Sequence, residues 1–164
     1  MRARVLQNST MVEQPAAALI GALENLHPGT ALDLACGTGR HAIYLGKRGW
    51  RVVAVDWSPS AIATLRERAR GLEIETRVVD LEAGNFAIDS RRYDLIVAWL
   101  YLQRDLFPKI RDGICAGGIA ACSVLLRGRF AAQPGELQEA FDGWTVLHYE
   151  ENGKAAELVA KKPL

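Results

Sequence analysis

The sequence is poor in the features that mark disulfide-rich, membrane-spanning or strongly charged proteins. Its three cysteines share no metal-ligand spacing, which predicts buried reduced thiols, as in the cytoplasm, and no metal site. The longest apolar run, residues 95–102, is far too short to cross a bilayer. The amino terminus lacks the basic-then-apolar pattern of a secretion signal. We therefore expect a cytoplasmic protein with no membrane partner.

Net charge is also nearly absent, because 20 basic residues oppose 19 acidic ones. This balance gives no bulk electrostatic reason to bind nucleic acid and disfavours it as a partner. With 49% hydrophobic and 24% charged residues, the chain can build a core and is too mixed for disorder. We see no repeat or linker, so residues 1–164 are expected to form a single domain.

One stretch organises the rest of the chain. An apolar run that contains Asp33 breaks into a turn with Gly37 and Gly39, and a new apolar segment starts at His41. This order predicts a strand, a tight turn and a helix. The glycines let the backbone approach a ligand, and the helix start points free N–H groups at it. The turn is therefore a prepared ligand site.

Strands and helices alternate along most of the chain, which predicts a parallel sheet with helices on both faces. Asn152–Gly153 is a hairpin signal that reverses the last strand. The predicted helices are 15–26, one that starts at Pro59 behind a Ser58 cap, 104–111, and one that starts at Pro134. After the first strand, the predicted strands are 50–56, 74–79, 93–100, 119–125 (following a turn at 117–118), 144–149 and 156–161.

Acids stand inside or at the ends of the first three strands. Asp56 ends the second strand, where its two oxygens suit the two hydroxyls of a ribose; a turn acid is the alternative, and the Ser58 cap makes it less favoured. Asp80 ends the third strand and is either a partner of an adenine amino group or a solvated loop acid. Asp33 lies within an apolar strand and must be paired, hydrogen-bonded or in a cleft.

With the glycine turn and the acids Asp33, Asp56 and Asp80 at these positions, the chain resembles class I S-adenosylmethionine-dependent methyltransferases over residues 30–162. The resemblance implies an α/β, Rossmann-like three-layer sandwich with a seven-stranded, mostly parallel sheet and an antiparallel last strand. Gly-Thr-Gly-Arg-His without an inserted lid is similar to small bacterial enzymes of the tellurite-resistance and thiopurine methyltransferase type. Ala35 departs from the family, which usually has glycine there.

The resemblance implies S-adenosylmethionine as cofactor. Asp33 would bond to its amino-acid end, or else tie down the N–H groups of the turn. Arg40 would reach the methionine carboxylate, or be an exposed arginine at the helix start. Trp57 would stack on adenine, or pack as a half-buried side chain. The full cofactor-binding set is Asp33, Ala35, Cys36, Gly37, Gly39, Arg40, Asp56, Trp57, Asp80, Leu81 and Trp99.

The acceptor side carries weaker signals. Tyr101, Arg104 and Arg127 are candidates for the acceptor pocket; a core aromatic residue and solvated loop charges are the alternatives. An Asn-Pro-Pro-aromatic sequence is absent after the fourth strand, which argues against amino methylation of DNA. No residue stands out as a general base, so catalytic residues stay unassigned, and a small-molecule nucleophile such as a thiol or an inorganic anion is favoured.

Two other functions remain open. Gly37 to Ala42 also fits the looser Gly-x-Gly-x-x-Gly/Ala fingerprint of nicotinamide-dependent oxidoreductases. A module that binds cofactor without catalysis is the third hypothesis, since no segment obviously caps the site. The cover would come from the N-terminal helical segment 1–30 or from the second copy of a homodimer.

Overall fold

The computed structural model describes residues 14–164, which form one seven-stranded sheet flanked by helices. The strands are β1 Thr30–Leu34, β2 Arg51–Asp56, β3 Ile74–Val78, β4 Tyr93–Ala98, β5 Ile114–Leu125, β6 Thr145–Glu151 and β7 Ala155–Lys161. The helices are α1 Ala17–Leu23, α2 Arg40–Lys47, α3 Pro59–Arg68, α4 Leu106–Gly113 and α5 Glu136–Ala140, with a 3₁₀ turn at Leu81–Ala83.

The order of strands across the sheet is β3-β2-β1-β4-β5-β7-β6. Strands β1 to β5 are parallel to one another, and β7 is antiparallel to both β5 and β6. The predicted parallel sheet with a reversed last strand is confirmed. The chain leaves β1 toward β3 and then returns to β4 on the other side of β1. Such a reversal opens a crevice at the carboxyl ends of the strands, where open α/β sheets bind ligands.

The sheet is covered on both faces, which gives the three layers expected. One buried cluster joins the sheet to α1, α2 and α3, and the other joins it to α4 and α5. Cys36 and Cys122 are buried and lie outside any disulfide within residues 14–164, as predicted, whereas Cys115 is half-buried. No helix within residues 14–164 has the length and apolar character needed to cross a membrane.

The start of β5 differs from the prediction. The strand begins at Ile114, which pairs with Tyr93, and the register then shifts before Ile119 pairs with Leu95. The glycines at 117–118 therefore lie within an irregular strand and do not form a turn. A Cβ at Gly118 would lie 2.9 Å from the Asp94 carbonyl oxygen, so the close approach of the two strands requires glycine there.

Helix boundaries also shift, because neighbouring packing decides where each helix ends. α1 ends at Leu23, earlier than the predicted residue 26, and α4 begins and ends two residues later than predicted, at Leu106 and Gly113. The cap of α3 is as predicted: Ser58 Oγ accepts a hydrogen bond from the Ala61 amide at 3.2 Å, and Pro59 is the first residue of the helix.

Gly39 provides a test of how α2 packs on α3. Its φ of +90° is left-handed, and a Cβ built there would lie 2.2 Å from Leu65 Cδ1, in the buried α3 face. We expect Gly39→Ala to lower the free energy of unfolding by about 3 kcal/mol, from backbone strain plus overpacking. Urea denaturation without cofactor measures this.

Gly71→Ala is the matched control, because Gly71 has a φ of +82° and nothing within 4 Å of the added Cβ. That variant should cost about 1 kcal/mol, from backbone strain alone. Equal losses in the two variants would refute the packing of Leu65 against Gly39.

Candidate cofactor site

The carboxyl ends of the first four strands surround a shallow hollow that encloses about 20 Å³. It lies at the crevice that the reversal of strand order creates. The residues that line it are Ala35, Asp56, Trp57, Val79, Asp80, Leu81, Glu82 and Tyr101.

Asp56 joins the two turns beside this hollow. Its Oδ2 accepts a hydrogen bond from the Gly37 amide, and its Oδ1 accepts one from the Ser58 amide, both at 2.9 Å. The carboxylate is 1% exposed. Asp56 is therefore a turn acid, the alternative that the sequence left less favoured, and it also lines the hollow.

Asp33 is buried beneath the start of α2. Its Oδ2 accepts a hydrogen bond from the Ala42 amide at 3.1 Å, in the first turn of that helix. Burial raises the pKa of Asp33 to about 7, against the opposing effects of this hydrogen bond and of the Arg40 charge. The carboxyl group therefore changes protonation state in the neutral range, where a nearby ligand cation would favour its ionised form.

Two non-glycine residues adopt left-handed backbone where β1 and β4 end. Ala35 has a φ of +54° and Leu100 a φ of +52°. Such conformations cost free energy for residues with a side chain and concentrate at functional sites. The φ of Ala35 explains why a glycine suits this position, and its methyl group lines the hollow.

The far side of the hollow is formed by the turn after β3 and by Trp57. Asp80 caps the 3₁₀ turn by accepting a hydrogen bond from the Glu82 amide at 3.2 Å. Leu81 is buried, whereas Trp57 is 40% exposed and presents an aromatic surface at the edge of the hollow.

Hydrogen bonds through Gln103, a residue that the sequence analysis did not identify, connect two of the segments around the hollow. The Tyr101 hydroxyl donates to Gln103 Oε1 at 2.7 Å, and Gln103 Nε2 donates to the Leu81 carbonyl at 3.1 Å. Gln103 thus links the loop after β4 to the turn after β3, and no sequence motif identifies it. Burial and the surrounding carboxylates raise the pKa of Tyr101, so its hydroxyl stays protonated and acts as a donor.

Trp99 lies outside the hollow, on the face of the sheet that α1 and α2 cover. It is 7% exposed and packs edge-to-face on His41 with ring centroids 5.7 Å apart. His41 Nε2 in turn accepts a hydrogen bond from the Ala16 amide at 3.2 Å. Burial lowers the pKa of His41 to about 3, so the imidazole is neutral and serves to hold the start of α1.

The structure brings Arg40 close to the turn but not the two other arginines. Arg40 donates to the Gln14 carbonyl at 3.4 Å, and its charge acts on Asp33. Arg104 forms a two-pronged ion pair with Glu136 beside α5 and does not line the hollow. Arg127 lies against Gly153 of the β6–β7 turn.

Three further predicted residues belong to the turn itself. Cys36 extends the pairing of β1, because its amide donates to the Val55 carbonyl at 2.9 Å. Gly37 and Gly39 both have left-handed φ values, 59° and 90°, which the turn requires. Gly37, Gly39 and Cys36 are all buried in this turn.

A parallel sheet with a reversed last strand, and acids at the strand ends around a hollow at the switch in strand order, are typical of the Rossmann-like methyltransferase class. The chain belongs to this family: the family model described as a methyltransferase domain matches residues 31–115, which include both turns and all three acids. The cofactor of this family is S-adenosylmethionine. Nothing among the similar proteins favours the oxidoreductase alternative.

Similar proteins agree in sequence and in fold. TehB of Haemophilus influenzae, named a probable S-adenosyl-L-methionine-dependent methyltransferase, is 31% identical over 152 residues, which cover 82% of this chain and 52% of TehB. A crystal structure of TehB from the same organism has a TM-score of 0.80 at 25% identity and covers 90% of this chain and 62% of that one.

A third comparison shows the fold alone. The S-adenosylmethionine-dependent methyltransferase structure from Mesorhizobium loti has a TM-score of 0.71 at 17% identity, covering 89% of this chain and 98% of that chain. The chain spans about half the length of the curated relative TehB that it matches.

The buried Asp33 predicts a pH-dependent stability. The unfolded chain releases the Asp33 proton near its ordinary pKa of 3.8, while the folded chain holds it up to about pH 7. Because the folded state binds the extra proton between these values, the contribution of Asp33 to stability falls as pH rises through this window. The free energy of unfolding of Asp33→Asn, relative to that of the wild type, should therefore rise by about 1 kcal/mol per pH unit from about pH 5 to 7.

Urea denaturation of both proteins without cofactor, at several pH values, measures that difference. A stability difference that stays constant from about pH 5 to pH 7 would contradict the raised pKa.

Proposed function

We propose that this chain transfers the methyl group of S-adenosylmethionine, bound in the hollow, to a small-molecule acceptor. The observation that carries the proposal is the Asp56 bridge. It holds the glycine turn and the turn after β2 in fixed positions at the edge of the hollow, with an acid at the next strand end. A preformed site of this kind suits a nucleoside with a charged tail.

The adenosine half would lie between Trp57 and the turn after β3. The Asp56 carboxylate, which lines the hollow, suits the two ribose hydroxyls, and the exposed surface of Trp57 suits the adenine ring. The Asp80 carboxylate is positioned for the adenine amino group, beside the Leu81 backbone.

The amino-acid end of the cofactor would lie at the glycine turn. The Asp33 carboxylate suits the ammonium group of the cofactor. Arg40 lies close enough to interact with Asp33, so its guanidinium suits the neighbouring carboxylate of the cofactor. The start of α2 adds a positive dipole end on the same side. Gly37 and Gly39 let the backbone come close to this part of the ligand.

When bound, S-adenosylmethionine supplies an electrophilic methyl group on a sulfonium sulfur. The residues of the site need only bring the acceptor in line with that carbon and exclude water. Within residues 14–164, Tyr101 and His41 do not suit proton removal, and Asp33, whose pKa is raised to about 7, is assigned to the ammonium group of the cofactor. The Tyr101 hydroxyl stays protonated, and His41 Nε2 is occupied by the Ala16 amide. This favours an acceptor that is nucleophilic without a base, such as a thiolate or an inorganic anion.

The compartment and the cover of the site are also proposals. The buried cysteines Cys36 and Cys122, which form no disulfide within residues 14–164, suit the reducing cytoplasm. The contacts of Gln14 with Arg40 and of Ala16 with His41 place the chain that enters α1 beside the glycine turn. This supports a cover made by the 1–30 segment, of which residues 1–13 lie outside the described residues; a second copy in a homodimer is the alternative.

Calorimetry with S-adenosylhomocysteine tests cofactor binding. We expect one equivalent to bind with a dissociation constant on the order of micromolar, and Asp56→Asn to weaken it at least about tenfold. Asp94→Asn is the matched control, because Asp94 holds Thr30 at the opposite edge of the sheet. Binding of NAD in place of S-adenosylhomocysteine, or equal losses in the two variants, would overturn the proposal.

Turnover separates an enzyme from a binding module. Methyl transfer from S-adenosylmethionine should appear with thiols or inorganic anions at neutral pH and be weaker with amines and phenols, which need a base. If the cofactor binds but no acceptor of a broad panel is methylated, the chain is a non-catalytic cofactor-binding module.

A further inference from the structure

A second group of potential ligand side chains lies on the β6–β7 hairpin, apart from the hollow. Glu150 pairs directly with Glu157 across the two strands, and His148 pairs with Val159. Paired residues of antiparallel strands point to the same face, and so do residues two apart on one strand. Val159 belongs to the cluster that packs against α1 and α2, so all three polar side chains belong to that face.

The distances suit a shared ion. His148, Glu150 and Glu157 each offer one ligand atom, and these three atoms lie within 4.8 Å of one another. His148 Nε2 is 3.7 Å from Glu157 Oε2, which is too long for a hydrogen bond. Two ligands of one Zn²⁺ ion are about 3.3 Å apart in tetrahedral geometry, so small side-chain movements would complete the site.

Two polar atoms at this place have no hydrogen-bond partner. His148 Nε2 is shielded from solvent and unpaired, although the rest of its ring is partly exposed. The Ser123 hydroxyl is also unpaired, and Ser123, which pairs in register with Glu157, is 0% exposed. Buried polar atoms without partners are rare and costly, and they commonly indicate a missing ion or water.

The charges point the same way. Like charges directly opposite each other on antiparallel strands repel. Glu150 and Glu157 stand in this arrangement. The Arg40 charge acts on Glu157 from the start of α2, which leaves one carboxylate of the cluster in excess. A cation held between the strands would relieve this repulsion and would also give His148 Nε2 a partner.

We propose that His148, Glu150 and Glu157 bind a divalent transition-metal ion. One imidazole nitrogen and two carboxylate oxygens suit Zn²⁺ or Mn²⁺, whereas Mg²⁺ prefers oxygen ligands alone. Glu150 is exposed, so water completes the coordination on the solvent side. The proposal does not rest on the proposed methyl transfer, and it is tested without an activity assay.

The experiment titrates the metal-free full chain with ZnCl₂ in a calorimeter. We expect one equivalent to bind, and His148→Gln and Glu157→Gln each to weaken binding at least about tenfold, with a smaller loss for Glu150→Gln. His27→Gln is the matched control, because His27 lies at the opposite edge of the sheet, and it should bind like the wild type. Excess Zn²⁺ should raise the melting temperature of the wild type but not that of His148→Gln.

Cobalt(II) substitution distinguishes this site from the three free cysteines. The proposal expects visible absorption from nitrogen and oxygen ligation without a sulfur-to-cobalt charge-transfer band. It is overturned by a sulfur band, by the absence of saturable binding, or by equal binding in His148→Gln and wild type. Melting curves of the metal-free variants verify that each one is folded before it is titrated.

Discussion

The carboxylate of Asp56 is the interaction on which the site depends. One oxygen holds the Gly37 amide in the turn after β1, and the other holds the Ser58 amide in the turn after β2. Hydrogen bonds to a buried charged group contribute about 1.5–3 kcal/mol each, so the two turns are fixed relative to each other before any ligand arrives. The hollow between them therefore exists in the free protein, which lowers the entropic cost of binding a flexible cofactor.

The same region carries the features that cost the fold free energy. Ala35 and Leu100 hold left-handed backbone at the ends of two neighbouring strands, and Asp33 is an acid buried under α2. Each is unfavourable for stability alone. Their concentration around one hollow is explained if that hollow binds a ligand whose charged end meets Asp33 and whose approach needs these tight turns.

The sheet and most of the site were predictable because their signals are local. Alternating strands and helices, the Ser58 cap and the acids at strand ends are read from short windows of sequence, and the hairpin signal at Asn152–Gly153 gave the reversed last strand. Because burial cannot be read from a residue type alone, the sequence did not show which side of the sheet Trp99 would face.

The missed features depend on contacts between distant parts of the chain. Arg104, before α4, pairs with Glu136 of α5. Gln103, in the loop after β4, donates a hydrogen bond to the Leu81 carbonyl in the turn after β3. The irregular start of β5 arises where its glycines meet β4 and the segment after β7. None of these contacts leaves a local pattern, so only the folded chain reveals them.

Two hollows on opposite edges of the sheet allow the central claim to be tested directly. The one at the amino edge is larger, about 570 Å³, and Arg51 and Glu75 are among its lining residues, but it lacks the strand-end acids and the glycine turn. The decisive measurement is a titration of the ¹⁵N-labelled chain with S-adenosylhomocysteine, followed by amide chemical shifts. The account predicts the largest shifts at Gly37, Trp57 and Leu81; largest shifts at Arg51 and Glu75 would contradict it.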